Sequence, residues 1–184
     1  MNLEVIMSLI KAGADVNAVV DGWTPLMTAA MFSGDPEVIT ALVRAGADVN
    51  AVDGCGWTPL MLAARNSANP AVITELVKAG AALDVTVDNG WTALMQAAAF
   101  NSPEVITAIA QHDANINSQC TYGRTPLMAA AALSRNSETV VALLDAGADP
   151  KIKCRNGRTA IDYAGQNRSV KNTDAFKTLS EASQ

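Results

Sequence analysis

The apolar residues of the chain occur in short groups, and each group follows a signal that starts a helix. Thr-Pro at 24–25 precedes the apolar residues 26, 27, 29 and 30; Thr can cap free helix amides, and Pro suits the first helical position. Asp-Pro at 35–36 precedes apolar residues spaced by one, three and four positions between 38 and 43, the pattern of a buried helix face. Gly46 then ends the helix in the left-handed conformation. The pattern predicts a unit of helix, turn, second helix and long polar loop.

This pattern returns at a fixed period. The phrase GWTPLM begins at Gly22 and Gly56, and variants of it begin at Gly90, Gly123 and Gly157, in steps of 34, 34, 33 and 34 residues. The phrase AGADVN and its variants keep the same period, and two phrases locked at one period indicate a repeat array. Stacked helix pairs can bury apolar faces that a single pair cannot. Paired alanines that would let first helices approach closely are Ala29-Ala30, Ala63-Ala64, Ala97-Ala98 and Ala130-Ala131.

The repeated phrases resemble the ankyrin repeat over essentially the whole chain. The resemblance rests on GxTPL, the alanine pair, the apolar second helix and GADVN. It implies an all-α ankyrin-repeat solenoid of stacked antiparallel helix pairs with β-hairpin-like loops. The 33/34-residue style is similar to that of bacterial ankyrin proteins. Where the family has His after TPL, this chain has Met, and we expect apolar packing of Met to replace the hydrogen bonds of that His. These methionines are Met27, Met61, Met95 and Met128.

We interpret residues 1–184 as a single ankyrin-repeat domain. Its predicted units are a partial repeat 1–17, the full repeats 18–50, 51–84, 85–117 and 118–151, and a C-terminal capping repeat 152–184. The chain begins at a second helix, which indicates a piece of a longer protein, and Val5, Ile6 and Leu9 would lack the partner that other repeats have. We expect a mostly monomeric protein that can associate through this incomplete repeat.

Composition and charge narrow the function classes. The apolar runs are too short and too often interrupted for a membrane span. The absence of a visible signal peptide favours a cytoplasmic location. The net charge of −5 gives no electrostatic footprint for nucleic acid. Residues 1–150 carry −9 and residues 151–184 carry +4, which we interpret as a polar, solvated cap.

The sequence offers no recognisable catalytic, cofactor or metal motif. His112 is the one histidine, and Asp113 after it replaces the glycine of other repeats; Asp tolerates the left-handed turn, so the exchange is structural. The motifs GxSxG, GxxxxGK[ST] and HExxH are absent, and no CxxC spacing suits zinc. Cys120 and Cys154 lie one repeat apart, about 10 Å, which is too far for a disulfide. We expect free thiols, no cofactor and no enzyme.

One row of residues is the candidate binding site. Trp23, Trp57 and Trp91 each follow the repeat glycine, a register that the family places on its inner, ligand-facing side. Trp and Arg dominate interface energetics, so we predict that this row contacts a protein partner of unknown identity. The alternative, that each Trp packs on the neighbouring loop and stiffens the array, stays open. The predicted partner-binding residues are Trp23, Trp57, Trp91, Tyr122, Arg124 and Arg158.

The resemblance implies a protein–protein interaction scaffold that binds its partner on the concave face and the loop tips. An alternative from another class is a regulatory or spacer ankyrin segment of a larger enzyme or secreted effector. The missing first helix would favour that alternative.

Overall fold

The computed structural model describes residues 2–184, in which the regular structure is helical. Most helices are eight or nine residues long, and α10 has five. In chain order they are α1 (Leu3–Lys11), α2 (Pro25–Phe32), α3 (Pro36–Arg44), α4 (Pro59–Asn66), α5 (Pro70–Lys78), α6 (Ala93–Phe100), α7 (Pro103–Ala110), α8 (Pro126–Leu133), α9 (Glu138–Asp145), α10 (Ala160–Ala164) and α11 (Asp174–Ala182).

The helices form two layers. The first helices α2, α4, α6, α8 and α10 pack against one another in that order, and the second helices α1, α3, α5, α7, α9 and α11 form the other layer. Each first helix also packs against the second helix that follows it in the chain. Elements contact their neighbours along the array, which is the architecture of a solenoid. The predicted all-α solenoid of stacked helix pairs is confirmed.

Local capping explains where the helices begin and end. The Thr24 hydroxyl accepts a hydrogen bond from the Met27 amide at 3.3 Å, and the Thr of the next three units does the same. The Asp35 carboxylate accepts from the Glu37 amide at 2.9 Å, so the second helix also begins at its Pro, as the sequence indicates. Gly46 ends that helix with φ of 93°. Asp113 takes φ of 59° at the equivalent position, which confirms its structural role in the turn.

The core lies between the two layers and between neighbouring first helices. The alanine pairs of α2, α4, α6 and α8 are fully buried, so the backbones of these helices come close together. The four methionines that replace the family's His are at most 1% exposed. Apolar packing therefore fills that position.

The loops between units have hairpin turns. Val20 and Trp23 form an antiparallel bridge, and the Val87 amide donates to the Trp91 carbonyl at 3.2 Å. Towards the C-terminus, neighbouring loops also bond to each other, as where the Thr121 amide donates to the carbonyl of Asn89 at 3.1 Å. A Cβ on the glycine that follows Asn89 would lie 2.7 Å from the Thr121 nitrogen. Only glycine allows this close approach of two loops.

An asparagine ladder joins consecutive units, and the sequence did not predict it. The Asn50 side chain donates to the Gly80 carbonyl at 3.1 Å and accepts from the Ala82 amide at 2.8 Å. Asn17 makes the same pair of bonds to the following unit. Asp84 and Asn117 hold the equivalent positions and accept from the next unit's amides. The ladder satisfies loop backbone groups that no regular strand pairs.

The N-terminal helix is less covered than its equivalents. Met1 lies outside the described residues, and Asn2 caps α1 as Asp35 caps α3. Val5 and Leu9 are 56% and 51% exposed, whereas their counterparts in α3 are buried. Ile6 is half-buried and packs against the core, whereas its counterpart Ile39 is fully buried.

We predict that truncating a central core residue destabilises the fold more than truncating one in the last helix. Leu60 and Leu179 are both fully buried, but α4 has a first helix on each side and α11 lies at the end of its layer. Leu60→Ala should cost about 2–5 kcal/mol of unfolding free energy, and Leu179→Ala less. Denaturant titration measures both losses, and equal losses would contradict the ranking.

We predict that Asn50→Ala loosens the joint between two units. The change removes two inter-unit hydrogen bonds, so the unfolding free energy should fall by about 1–2 kcal/mol. Asn156→Ala is the matched control, because Asn156 is also exposed in a loop. If both variants unfold at the same denaturant concentration, the ladder does not stabilise the array.

We predict weak self-association through Val5 and Leu9. Exposed apolar side chains on one helix face promote association, so the sedimentation coefficient should rise with protein concentration. The double variant Val5→Glu, Leu9→Glu should remain a monomer at every concentration. A wild-type chain that stays strictly monomeric would refute the prediction.

Candidate protein-binding surface

The three tryptophans occupy the same position in successive units, where each loop enters its first helix. All three are half-buried. The Asp53 carboxylate holds the turn before Trp57 by accepting from the amides of Cys55 and Trp57 at 2.8 and 2.9 Å. The side chain after the turn is therefore placed by a rigid backbone. The asparagine Asn89 does the same for Trp91, whose amide donates to its side chain at 3.1 Å.

Two of the tryptophans stack on a phenylalanine of their own unit. The rings of Trp23 and Phe32 have centroids 6.5 Å apart, and those of Trp91 and Phe100 are 6.2 Å apart, both with an interplanar angle of 26°. Each Phe is the last residue of its first helix. The stack fixes the indole at the end of the first helix, so part of each Trp has a structural role within its unit.

Trp57 has a cation as its neighbour instead of a ring. The position of these phenylalanines is Asn66 in α4, and the residue before it is Arg65, whose guanidinium carbon lies 5.8 Å from the Trp57 ring centroid. The same carbon lies 4.1 Å from the ring centroid of Phe100 in the next unit. Arg65 Nη1 also donates to Gln96 Oε1 at 3.3 Å. Arg65 therefore connects the aromatic residues of two consecutive units.

The indoles line two adjoining open pockets. A smaller pocket of about 160 Å³ lies between Trp23 and Trp57, and a larger one of about 360 Å³ lies between Trp57 and Trp91. Arg65 lines both pockets, and Phe100 lines the larger one. We call the surface formed by these five residues the tryptophan groove.

The two predicted arginines lie further along the array, Arg124 in the last full repeat and Arg158 in the capping repeat. The guanidinium carbons of Arg124 and Arg158 lie 5.0 and 5.9 Å from the ring centroid of Tyr163. Neither arginine lines the two pockets of the tryptophan groove. Tyr122 is exposed, and its carbonyl accepts from the Arg155 amide at 3.1 Å. The candidate row therefore has two parts: an aromatic part, which is the tryptophan groove, and a basic part, which Arg124 and Arg158 form at Tyr163.

A buried thiol contacts the tyrosine on which the two arginines of the basic part lie. Cys154 Sγ lies 3.4 Å from the Tyr163 hydroxyl. Burial raises the pKa of the Cys154 thiol, but the hydrogen bond to Tyr163, loop amides and the Arg124 charge outweigh burial and bring that pKa below its ordinary value. The same hydrogen bond raises the pKa of Tyr163. Tyr163 therefore stays neutral and holds the aromatic face on which the two arginines lie.

Comparison with family models decides the relationship. A model described as ankyrin repeats (3 copies) matches residues 1–53 and 26–120, and one described as ankyrin repeats (many copies) matches residues 109–164. The chain belongs to the ankyrin repeat family. A search of curated proteins finds no match to this ankyrin protein. None of the helices described for it is long and apolar enough to cross a membrane.

Other residues singled out in the sequence have structural places in the ankyrin domain. The repeated aspartates are turn residues: Asp15, Asp48 and Asp149 each accept from the amide two positions later. The three cysteines are free thiols. Among residues 2–184, no group of three or more His, Cys, Asp and Glu is placed to hold a metal ion.

Several residues of the tryptophan groove and of the surface around it were missed by sequence reasoning. Two signals could have found them. Phe32 and Phe100 each stand nine positions after a Trp, and Arg65 is the one charged residue in the helices α2, α4, α6 and α8. The missed residues are Phe32, Arg65, Gln96, Phe100 and Tyr163.

Proposed function

We propose that this chain is a scaffold that binds a protein partner through the tryptophan groove and the neighbouring loop tips. Ankyrin repeats generally mediate protein–protein interactions and are typically non-enzymatic modules. The proposed contact residues are Trp23, Trp57, Trp91, Tyr122, Arg124 and Arg158.

The observation that carries the proposal is the apolar surface left open at the ends of the first helices. Phe32, Phe100 and Leu133 are the last residues of α2, α6 and α8, and they are 67%, 48% and 44% exposed. The indoles of Trp23 and Trp91 stack on the two phenylalanines, which adds to the large apolar side chains facing solvent. Exposed apolar surface of this kind marks interaction sites.

The rigidity of the groove supports binding. The tryptophan positions follow hairpin turns, and two of the indoles are held by ring stacks. Side chains that are already ordered lose little conformational entropy when a partner binds. Large rings with a polar N–H also give much contact area per residue.

The basic part suits the other end of the same partner. Arg124 and Arg158 are held against Tyr163, and neither is among the ion pairs found in residues 2–184. Lys151, Lys153 and Arg155 are exposed nearby in the chain. An extended partner with an apolar stretch followed by an acidic end would match the groove and then the basic part.

Truncating Trp57 distinguishes a binding role of the tryptophans from a structural role. Trp23 and Trp91 each stack on a Phe, so their removal also costs packing within the unit. Trp57 contacts the exposed Arg65 and lines both pockets of the groove. Its truncation should affect partner affinity more than stability.

We predict that Trp57→Ala lowers partner affinity at least about tenfold, or about 1.4 kcal/mol, with a smaller loss of fold stability. The partner is captured from the source cells with the wild-type chain and identified by mass spectrometry. Affinity is then measured by calorimetry for the wild type and for each single Trp→Ala variant.

The control is Thr107→Ala, an exposed change on α7 in the other helix layer. This variant should bind like the wild type. If Trp57→Ala binds normally but melts much earlier, the tryptophans are structural and the proposed binding surface is wrong.

A further inference from the structure

Arg65 is an unusual residue for its position. It stands near the end of α4, where α2, α6 and α8 have Met31, Ala99 and Ala132. The repeat does not require a charge at this position, because the equivalent residues of the other three units are apolar. A cation near a helix C-terminus is stabilised by the helix dipole, but the equivalent helices lack one.

Neighbouring side chains position the guanidinium of Arg65, yet most of its N–H donors are without a partner among the described residues. It lies over the ring of Phe100 at 4.1 Å and near Trp57 at 5.8 Å. Among the five N–H donors of an arginine, one is used, by the buried side chain of Gln96. Arg65 itself is exposed. Its remaining donors point to a ligand that can accept several hydrogen bonds.

The charge of Arg65 is also not neutralised within the described chain. The ion pairs of residues 2–184 are Lys78–Glu75 and Lys177–Asp174. Asp53 lines the smaller pocket, where its Oδ1 accepts from two loop amides, and it forms no salt bridge with Arg65. Asp88 lines the larger pocket, is exposed and forms no salt bridge with Arg65. An anionic group from outside would complete the pairing.

The geometry points to Arg65 as a carboxylate-binding site in the centre of the tryptophan groove. Its occupant is an Asp or Glu side chain of an extended segment of the protein partner, with an apolar side chain on each side. The carboxylate pairs with the guanidinium, and the flanking side chains enter the smaller and larger pockets that Arg65 separates. This assignment rests on the proposed function and specifies the partner's sequence: apolar, acidic, apolar.

The geometry of the guanidinium favours a carboxylate over a cation. An arginine already stacked on aromatic rings offers a planar fork that matches a carboxylate with two parallel hydrogen bonds. A basic side chain from a partner would meet the same aromatic faces with Arg65 already on them. The carboxylate of Asp88 repels an incoming carboxylate and attracts an incoming cation. Removing the charge of Asp88 should therefore strengthen the binding of an acidic ligand and weaken the binding of a basic one.

The test uses linear peptides as the probe. A phage-displayed library of random peptides is selected on the wild-type chain, and the consensus peptides are synthesised. The three tryptophans of the chain all line the groove, so intrinsic tryptophan fluorescence reports its occupation. The consensus should contain Asp or Glu between two apolar residues.

Variants of the chain then identify the side chain that binds the acidic residue of the peptide. Arg65→Gln should weaken peptide binding at least about tenfold, and Arg65→Lys should weaken it less. Asp88→Asn should tighten it, because a like charge is removed. Replacing the acidic residue of the peptide by its amide should weaken binding to the wild-type chain as much as Arg65→Gln does. The same replacement should weaken binding to the Arg65→Gln variant little further.

Arg44→Gln is the matched control. Arg44 is likewise exposed in the last turn of its helix, but it lies on α3 in the other layer. It should bind the peptides like the wild type, and thermal melting should show that every variant is folded.

Other outcomes overturn the assignment. A consensus without an acidic residue, a basic consensus that Asp88→Asn weakens, no effect of Arg65→Gln, or no selected peptide would each do so. Peptides that need Trp57 but not Arg65 would overturn the carboxylate site and leave the proposed function standing. Peptides that need neither residue would contradict both.

Discussion

The packing of first helices against one another is the interaction on which the rest of the structure depends. No single helix pair of this chain can cover its own apolar face, so each unit is stable through its neighbours. Alanine pairs such as Ala63-Ala64 are fully buried between consecutive first helices, and their small side chains set how closely the units lie. The nearly constant repeat length of 33 or 34 residues keeps this contact in register along the array.

Because every unit stacks in the same way, one sequence position becomes one line along the surface. The residue after the repeat glycine is Trp in three successive units, and the three indoles therefore line adjoining pockets. Where the units differ within this pattern, the surface acquires its own chemistry. Arg65 and Gln96 are such differences, and the hydrogen bond between them crosses from one unit to the next.

The sequence was informative where structure is local. Thr24 and Asp35 cap helices as predicted, Gly46 and Asp113 take positive φ, and the all-α solenoid is present. Each of these depends on residues a few positions apart, or on a repeat that is visible in the text of the sequence.

Contacts between units were not predictable in the same way. The bond of Arg65 joins residues 31 positions apart, and the asparagine ladder spans about one repeat at each step. Such contacts depend on how far neighbouring loops and helix ends lie from each other in space.

The asparagine ladder also bears on how such a chain can grow. Each side chain, such as Asn50, bonds to backbone atoms of the next unit, Gly80 O and Ala82 N, and to no side chain there. Backbone atoms are the same whatever residues a unit carries. A gene duplication that inserts a whole unit thus supplies a working joint at both of its ends, and the surface residues of the copy are free to diverge without disturbing the connection.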